Sequence, residues 1–350
     1  MSFPPIRVLV AEDSLTVRHY LAGLIDESPL FQVVGMARDG LEALALAQHL
    51  APDVISMDVN MPIMDGLEAT RRIMRANPLP VVIVSSLADQ EVELSFRALQ
   101  AGALAVIPKP PNRTDQGFLA HRQQLWTTLQ AMAGVKVVRR WASVYEVQRH
   151  EPRNYDTQRV RPKPNLVAVA ASAGGPSTIA TLLGALGNNV NVPVVIVQHM
   201  PAEFMAGLAR WLSRFTELPI TLATHNSILQ PGTVTLAPGD AHLRVTQEED
   251  LLIAQLDPVM GKYLHQPAAD VLFESVAQAC GVSGIGVILT GMGNDGAQGL
   301  LTLRQLNART FAQEEASCTV FGMPAAAIAL GAAERVLSPT QIGTTLRKLV

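Results

Sequence analysis

Short apolar runs alternate with amphipathic segments over the N-terminal third of the chain. Ile6–Ala11 is a short, mostly apolar run, and the residues after it carry apolar side chains at helical spacing, at Val17, Leu21 and Leu24. Further runs that predict strands are Val33–Ala37, Val54–Met57, Val81–Val84 and Ala105–Ile107, and the helical patterns between them are Gly40–His49, Leu67–Ala76 and Val92–Ala101. The pattern predicts a doubly wound domain of five parallel strands that ends near residue 130.

A second series of apolar runs begins at Leu166. Its predicted strands are Leu166–Ala171, Val192–Gln198, Ile220–Ala223, Thr233–Leu236, Ile285–Thr290 and Arg309–Ala312. Helical segments separate these strands, so a second, mostly parallel α/β domain is expected over residues 165–350. The predicted fold class is therefore α/β, with two doubly wound domains.

The segment between the two series, residues 131–164, is predicted to be a linker. Between Lys136 and Lys163 it holds eight basic residues against three acidic ones, and prolines at 152, 162 and 164 interrupt it. A solvated basic linker is favoured over a nucleic-acid-binding arm, because no recognition helix accompanies the charges.

Composition narrows the class of protein. Hydrophobic residues make up 48% of the chain and charged residues 16%, which excludes a disordered chain. The net charge of −3 gives no reason to expect a nucleic-acid partner. Cys280 and Cys318 are too few for a disulfide framework, and no apolar run approaches the roughly 18 residues of a membrane span. With no signal-like start either, we expect a cytoplasmic protein without membrane insertion.

Carboxylates follow two strands of the N-terminal domain. Glu12 and Asp13 come after the first strand and Asp58 after the third, so they are expected to meet at one edge of the sheet. Each pair at about 4 Å would repel by about 4 kcal/mol at an effective dielectric near 20, unless a cation or a proton intervenes. An all-oxygen set, to which the carbonyl of Asn60 can add, favours Mg²⁺. Beyond two other strands, Ser85 and Lys109 complete a phosphate-binding set.

Five N-terminal motifs in order resemble the receiver domain of response regulators. They are Glu12-Asp13-Ser14, Met57-Asp58-Val59-Asn60-Met61-Pro62, Met64-Asp65-Gly66, Ser85-Ser86 and Lys109-Pro110. The resemblance implies a flavodoxin-like fold and phosphorylation by a sensor histidine kinase. It also implies residue roles: Asp58 as phosphoacceptor, Glu12 and Asp13 as Mg²⁺ ligands, and Ser85 and Lys109 as sensors of the phosphoryl group.

One position departs from the receiver pattern. Receivers commonly place an aromatic switch residue three positions before the lysine, and this chain has Val106 there. Phosphorylation does not need that residue, but the way in which this domain switches is not implied by the resemblance.

A serine, a histidine and an aspartate follow three predicted strands of the C-terminal domain. Ser172 follows the first strand, His199 the second and Asp295 the fifth. Taken singly, these residues are ordinary as a helix N-cap, a surface histidine and a turn residue. Together at one rim of a sheet they favour catalysis, with His199 as the base that activates the Ser172 hydroxyl and Asp295 fixing the imidazole tautomer. The backbone N–H groups of Ala173 and Met292 are candidates for an oxyanion hole.

This arrangement differs from that of the α/β-hydrolases. Ala170 stands where the nucleophile elbow has its first glycine, and the chain order is Ser, His, Asp. Four motifs instead resemble the chemotaxis protein-glutamate methylesterases, the CheB family. They are Ala171-Ser172-Ala173-Gly174-Gly175, Gln198-His199-Met200-Pro201, Leu289–Gly296 and Phe321-Gly322-Met323-Pro324.

The CheB resemblance implies an activity, a substrate and residue roles. Members remove methyl groups from glutamate methyl esters on chemoreceptor cytoplasmic domains, often deamidate receptor glutamines, and need no cofactor for the ester hydrolysis. By motif, Ser172, His199 and Asp295 match the family's triad and Met292 its oxyanion loop. Many members have threonine after the nucleophile; Ala173 keeps the N–H and lacks the hydroxyl.

Other functions remain open at this point. Gly291-x-Gly293-x-x-Gly296 fits a dinucleotide fingerprint with Glu314-Glu315 as the ribose-binding acids, as in an oxidoreductase. Against it, Asp295 would face a pyrophosphate, and the motif falls late in its domain. A response-regulator binding module without turnover is a second alternative. A transcription factor is disfavoured because a helix-turn-helix with a basic reading face is missing.

Overall fold

The computed structural model describes residues 4–86, 89–135, 137, 161–261 and 263–350. The chain forms two compact units, residues 1–143 and 144–350. Most of the basic linker expected at residues 131–164 lies outside the described residues, so the division into a domain, a linker and a second domain stays a prediction.

The N-terminal unit holds a five-stranded parallel sheet in the order β2-β1-β3-β4-β5, which confirms the predicted fold of this half. Its strands are β1 (Ile6–Ala11), β2 (Phe31–Ala37), β3 (Val54–Met57), β4 (Val81–Ser85) and β5 (Ala105–Pro108). Its helices are α1 (Leu15–Asp26), α2 (Gly40–Leu50), α3 (Gly66–Ala76), α4 (Asp89–Ala101) and α5 (Phe118–Ala133). Because β1 lies between β2 and β3, the loops after β1 and β3 border the crevice where such sheets bind ligands.

Local sequence explains where the first helices begin. The side chains of Ser14, Asp39 and Asp65 are the N-caps of α1, α2 and α3, and each accepts a hydrogen bond from the backbone N–H three residues on. Such caps satisfy N–H groups that the first helical turn leaves unpaired. Each helix therefore begins just after the loop that follows a strand.

The C-terminal unit holds a seven-stranded sheet in the order β15-β14-β13-β6-β7-β10-β8, with every neighbouring pair parallel. The strands are β6 (Leu166–Ala171), β7 (Val194–Gln198), β8 (Ile220–Leu222), β10 (Val234–Leu236), β13 (Gly284–Ile288), β14 (Arg309–Gln313) and β15 (Arg335–Leu337). The mostly parallel α/β fold is confirmed. The short edge strand β15 was not predicted, because its three residues are partly exposed and form no apolar run.

A three-stranded antiparallel sheet in this unit was also missed. Its order is β11-β12-β9, formed by β9 (Ser227–Ile228), β11 (His242–Glu248) and β12 (Leu251–Asp257). Polar residues interrupt β11, whose burial decreases toward its C-terminal end. An apolar-run criterion overlooks such a strand, although it packs against a helix, with Val245 N–H donating to Ser275 Oγ at 2.9 Å.

The helices of the C-terminal unit are α6 (Gly175–Leu186), α7 (Ala202–Leu212), α8 (Ala269–Cys280), α9 (Ala297–Gln305), α10 (Met323–Ala329) and α11 (Pro339–Arg347). Among the described residues no helix combines the length and apolar character needed to cross a membrane. Strand β6 lies between β13 and β7, so the sheet's strand order reverses there, and the loops after these three strands converge.

Candidate functional site

The predicted acidic cluster forms in the N-terminal unit. Glu12 and Asp13 follow β1 and Asp58 follows β3, and one carboxylate oxygen from each lies within 4.8 Å of the others. Glu12 and Asp58 are buried, at 1% and 3% exposed, whereas Asp13 is exposed. The three side chains thus offer an all-oxygen site that opens to solvent on one side.

Lys109 enters the same pocket from the end of β5. Its Nζ lies 2.9 Å from Glu12 Oε2 and 3.1 Å from Asp58 Oδ1. Burial raises the pKa of both carboxyl groups, which the lysine opposes. Burial also acts to lower the pKa of Lys109, but its bonds to the two acids outweigh this effect and raise it. The lysine therefore stays charged and offsets part of the carboxylate repulsion.

The two oxygens of Asp58 differ in their surroundings. Oδ1 accepts a hydrogen bond from Val59 N–H at 2.8 Å and faces Lys109. Oδ2 accepts no hydrogen bond from the part of the chain that the structure describes. One oxygen is thus engaged by the chain itself, and the other is not.

Glu91, which the sequence analysis missed, is hydrogen-bonded to the predicted switch serine. Its Oε2 accepts from Ser85 Oγ at 3.2 Å, from Ser86 N–H at 2.8 Å and from Ser86 Oγ, and its Oε1 accepts from Asn60 Nδ2 at 3.2 Å. Burial acts to raise the pKa of Glu91, but these donors together lower it. Glu91 lies on α4 outside any receiver motif, so no sequence signal marked it.

Val106, three positions before Lys109, is buried, with 3% of its surface exposed. A small aliphatic side chain therefore occupies the position where receivers commonly have an aromatic residue.

The C-terminal sheet brings the three predicted catalytic residues to one edge. Ser172 follows β6, His199 follows β7, and Asp295 lies in the loop after β13. Interstrand hydrogen bonds continue past the strands, since His199 N–H donates to Ala171 O and Ser172 N–H to Thr290 O, both at 3.0 Å. The backbone thereby holds the three loops side by side.

His199 and Asp295 form a hydrogen-bonded pair. The Nε2 of His199 lies 2.8 Å from Asp295 Oδ2, and the two side chains are 9% and 10% exposed. The other ring nitrogen, Nδ1, is buried and has no partner among the described residues. With the proton on Nε2 facing the carboxylate, the lone pair on Nδ1 is the basic site.

The hydrogen bond expected between Ser172 and His199 is absent from this structure. Nδ1 of His199 lacks a partner, and the Ser172 side chain makes no hydrogen bond within the described residues. Catalytic hydrogen bonds are often long or poorly aligned until substrate binds. The two residues are nevertheless adjacent, at the ends of paired strands.

A helix N-terminus holds the Asp295 carboxylate. The first two N–H groups of α8, on Ala269 and Asp270, donate to it at 2.7 and 3.0 Å. Burial acts to raise the pKa of Asp295, but the bonds from His199 and from these amides outweigh it and lower the pKa. Asp295 therefore stays ionised. The donors lie 26 and 25 positions earlier in the chain, so no local motif could have indicated them.

His265 covers the ring of His199. The two imidazoles stack with centroids 4.3 Å apart and an interplanar angle of 18°. Loss of water from the stacked side and the proximity of His199 lower the pKa of His265 below its ordinary value. His265 precedes α8 and belongs to none of the recognised motifs, so the sequence analysis did not find it.

Two backbone N–H groups remain unengaged beside the serine. Those of Ala173 and Met292 donate to no acceptor within the described residues. Gly291 permits the close approach of the two loops, because a Cβ there would lie 2.8 Å from Ser172 Cβ and 2.2 Å from Met323 Sδ. The turn after Ser172 also needs a glycine, since Gly174 has φ +75°. The site therefore offers a hydroxyl, a base with a bound carboxylate, and free amide donors.

The glycine loop is a poor site for a dinucleotide. The Asp295 carboxylate lies inside Gly291-x-Gly293-x-x-Gly296 and is fixed there by His199 and by α8. A pyrophosphate bound at this turn would meet a fixed anion. The structure thus disfavours the oxidoreductase alternative.

Comparison with known families and proteins gives two family matches. Residues 167–346 match the model "CheB methylesterase", and residues 8–116 match "Response regulator receiver domain". The chain is 43% identical to "Protein-glutamate methylesterase/protein-glutamine glutaminase 4" of Myxococcus xanthus over 99% of this chain and 97% of that protein. It is 44% identical to "Protein-glutamate methylesterase/protein-glutamine glutaminase 3" of Anaeromyxobacter dehalogenans, over 97% and 98% of the two chains.

A solved structure matches the C-terminal unit. The CheB methylesterase catalytic domain of Thermotoga maritima aligns with a TM-score of 0.52 and 33% identity, covering 54% of this chain and 100% of that domain. Family, full-length relatives and solved fold therefore agree.

Proposed function

Because the chain belongs to the CheB methylesterase family, it is a protein-glutamate methylesterase regulated by phosphorylation, and we propose that Ser172, His199 and Asp295 are its catalytic triad. The observation that carries the proposal is the His199–Asp295 pair at 2.8 Å. The opposite ring nitrogen of His199, beside the Ser172 loop, has no partner among the residues that the structure describes. A base with a fixed tautomer and an open lone pair is what a serine nucleophile needs.

In the first half-reaction the Ser172 hydroxyl attacks the carbonyl of a glutamate methyl ester. His199 Nδ1 takes the hydroxyl proton, and ionised Asp295 stabilises the imidazolium. The N–H groups of Ala173 and Met292 donate to the oxygen on which negative charge develops. The tetrahedral intermediate collapses as the bond from its carbon to the methoxy oxygen breaks and His199 gives the proton to that oxygen. Methanol leaves, and an acyl group remains on Ser172.

In the second half-reaction water attacks the acyl group while His199 again takes a proton. Collapse of the second intermediate returns that proton to Ser172 Oγ and frees the glutamate side chain. A glutamine side chain passing through the same steps would release ammonia in place of methanol. We therefore include glutamine deamidation in the proposal, in line with the names of the relatives. The proposed substrates are the methylated cytoplasmic domains of chemoreceptors.

We also propose the phosphoacceptor and the division into domains. Asp58 Oδ2, which accepts no hydrogen bond from a described residue, attacks the phosphorus of a phosphohistidine on a sensor histidine kinase. The phosphorus–nitrogen bond breaks, and the histidine of the kinase leaves. The domains are residues 1–130 for the receiver, 131–164 for the linker and 165–350 for the esterase.

The acidic pocket fits Mg²⁺, because three carboxylate oxygens converge within 4.8 Å. Glu12, Asp13, Asp58 and the carbonyl of Asn60 would hold the ion, which neutralises phosphoryl charge when bound. Lys109 Nζ and the Ser85 hydroxyl contact the phosphoryl oxygens in this proposal, so Ser85 would have to leave Glu91. No cofactor is assigned to the ester hydrolysis.

Methanol release from methylated receptor fragments tests this function and its regulation. We expect acetyl phosphate with Mg²⁺ to raise the rate of the wild-type chain by about 5- to 150-fold. This range corresponds to typical allosteric coupling free energies of about 1 to 3 kcal/mol. Asp58→Asn should not respond, because an amide cannot accept the phosphoryl group. Asp115→Asn, an exposed aspartate in the same unit, is the matched control and should respond normally.

Two outcomes would contradict different parts of the proposal. A wild-type chain that releases no methanol would contradict the esterase function. An Asp58→Asn chain that responds like the wild type would contradict the phosphoacceptor only.

The lowered pKa of Asp295 predicts how its contribution to stability depends on pH. Because the folded pKa lies below the unfolded value of about 3.9, the contribution is complete above that value and is lost as pH falls through the folded pKa. The difference in thermal unfolding midpoint between the wild type and Asp295→Asn should therefore stay constant from pH 7 to pH 5 and decrease below about pH 4. A difference that has already disappeared at pH 5 would contradict an ionised Asp295 with a lowered pKa.

A further inference from the structure

Gln198 places a buried amide at the edge of the sheet where the active site lies. It is the last residue of β7, its side chain is 1% exposed, and it pairs with Ala171 at the end of β6. A buried amide has two N–H donors that need acceptors, because an unpaired buried polar group is destabilising. The acceptors that Gln198 uses therefore show which parts of the chain its side chain holds in place.

The amide joins the nucleophile and the base through their backbones. Gln198 Nε2 donates to the carbonyl oxygen of Ser172 at 2.9 Å and to that of His199 at 3.0 Å. The hydrogen bonds between the two strands extend only to His199 N–H and Ala171 O. Gln198 thus adds a connection one residue further on, where the loops that carry the two reacting side chains begin.

The turn after the nucleophile leaves room for this amide. A Cβ on Gly175 would lie 1.9 Å from Gln198 Oε1, so a larger residue there would displace the side chain. Gly175 N–H also donates to Ser172 O at 2.8 Å, so that carbonyl accepts one bond from its own turn and one from β7. Oε1 is buried without a hydrogen-bond partner in the described part of the chain. The contribution of Gln198 therefore comes from its donors.

We propose that Gln198 is a positioning residue that sets the separation between Ser172 Oγ and His199 Nδ1. It acts by holding the two backbone carbonyls, and the proposal rests on the triad proposed above. A misplacement of about 1 Å can cost on the order of 100-fold in rate, so loss of the two bonds affects the chemical steps. Because both bonds are to backbone carbonyls, we expect substrate affinity to stay unchanged.

The test uses Gln198→Met in the full chain with acetyl phosphate. Methionine is similar in length and lacks the donors. The matched control is Gln247→Met, which also removes an amide-to-carbonyl bond, from Gln247 Nε2 to Glu249 O at 3.0 Å, in the antiparallel sheet. The measurements are kcat and KM for methanol release, and the rate of reaction with a fluorophosphonate per titratable serine.

For Gln198→Met we expect kcat and the fluorophosphonate rate to decrease together by about 10- to 100-fold, with KM unchanged within about threefold. The control should keep wild-type values. Rates are expressed per serine that the fluorophosphonate can label, so an unfolded fraction of the preparation does not affect them. Gln198→Ala, which adds no bulk, is a second variant in case methionine does not fit.

Three outcomes would overturn the proposal. Wild-type rates per site in both Gln198 variants would leave Gln198 with a structural role only. A rise in KM at unchanged kcat would assign it to substrate binding. An equal loss in Gln247→Met would show a general effect of destabilisation. If the wild-type chain is not labelled at Ser172, the triad itself is wrong and the role of Gln198 falls with it, which distinguishes the two failures.

Discussion

Ser172→Ala is expected to lower the rate of methanol release by about four to six orders of magnitude, because the mechanism then lacks its nucleophile. The hydroxyl makes no hydrogen bond within the described residues, so its removal should leave the thermal unfolding midpoint nearly unchanged. Activity at saturating substrate and circular dichroism melting measure the two effects on the same preparation.

Ser177→Ala is the matched control for this variant. Ser177 lies in the first turns of α6, and its hydroxyl donates to Gly174 O at 3.1 Å, so the control removes a serine hydroxyl from the same turn. Its kcat should stay within a few-fold of the wild type. A Ser172→Ala chain that retains more than about one hundredth of the wild-type rate would contradict a serine nucleophile.

Asp295→Asn is expected to lower kcat by about 10⁴-fold with the fold intact. Asp295 Oδ2 faces His199 Nε2 at 2.8 Å and also accepts from Ala269 N–H. An asparagine has one oxygen for these donors, so its NH₂ group would face either the imidazole or the amides of α8. If the NH₂ group faces the imidazole, it donates to Nε2 and favours the His199 tautomer with the proton on Nδ1. In that tautomer Nδ1 cannot accept the proton of Ser172.

Asp295→Asn also removes a buried charge from a helix N-terminus, so a moderate loss of stability should accompany the loss of rate. Asp240→Asn, at an exposed position of the same unit, is the control and should change neither quantity. A value of kcat within tenfold of the wild type would contradict the assignment of Asp295 as the carboxylate of the triad.

The positions of the candidate residues followed from the sequence because parallel strands end at a common edge. Apolar runs located β6, β7 and β13, and the residues that follow them, Ser172 and His199 directly and Asp295 a few positions on, lie at one crevice. The same reasoning placed Glu12, Asp13 and Asp58 in one pocket. Strand runs and strand ends are local properties, so a single sequence is sufficient to predict them.

The contacts that orient these residues could not be predicted in the same way. The amides of Ala269 and Asp270 reach Asp295, and His265 stacks on His199, across sequence separations that no motif spans. The bond between Glu91 and Ser85 likewise depends on where α4 packs against its sheet. Such contacts depend on tertiary packing. The partly polar strand β11 likewise depends on its packing against α8, where Val245 N–H donates to Ser275 Oγ.

The most direct test of the central claim is to react the full-length chain with a fluorophosphonate in the presence of acetyl phosphate and Mg²⁺, and to map the adduct by peptide mass spectrometry. We expect a single adduct on Ser172, formed in step with the loss of methanol release and much more slowly in His199→Gln. An adduct on another serine that tracks the loss of activity, or continued methanol release from chains fully modified at Ser172, would contradict the account.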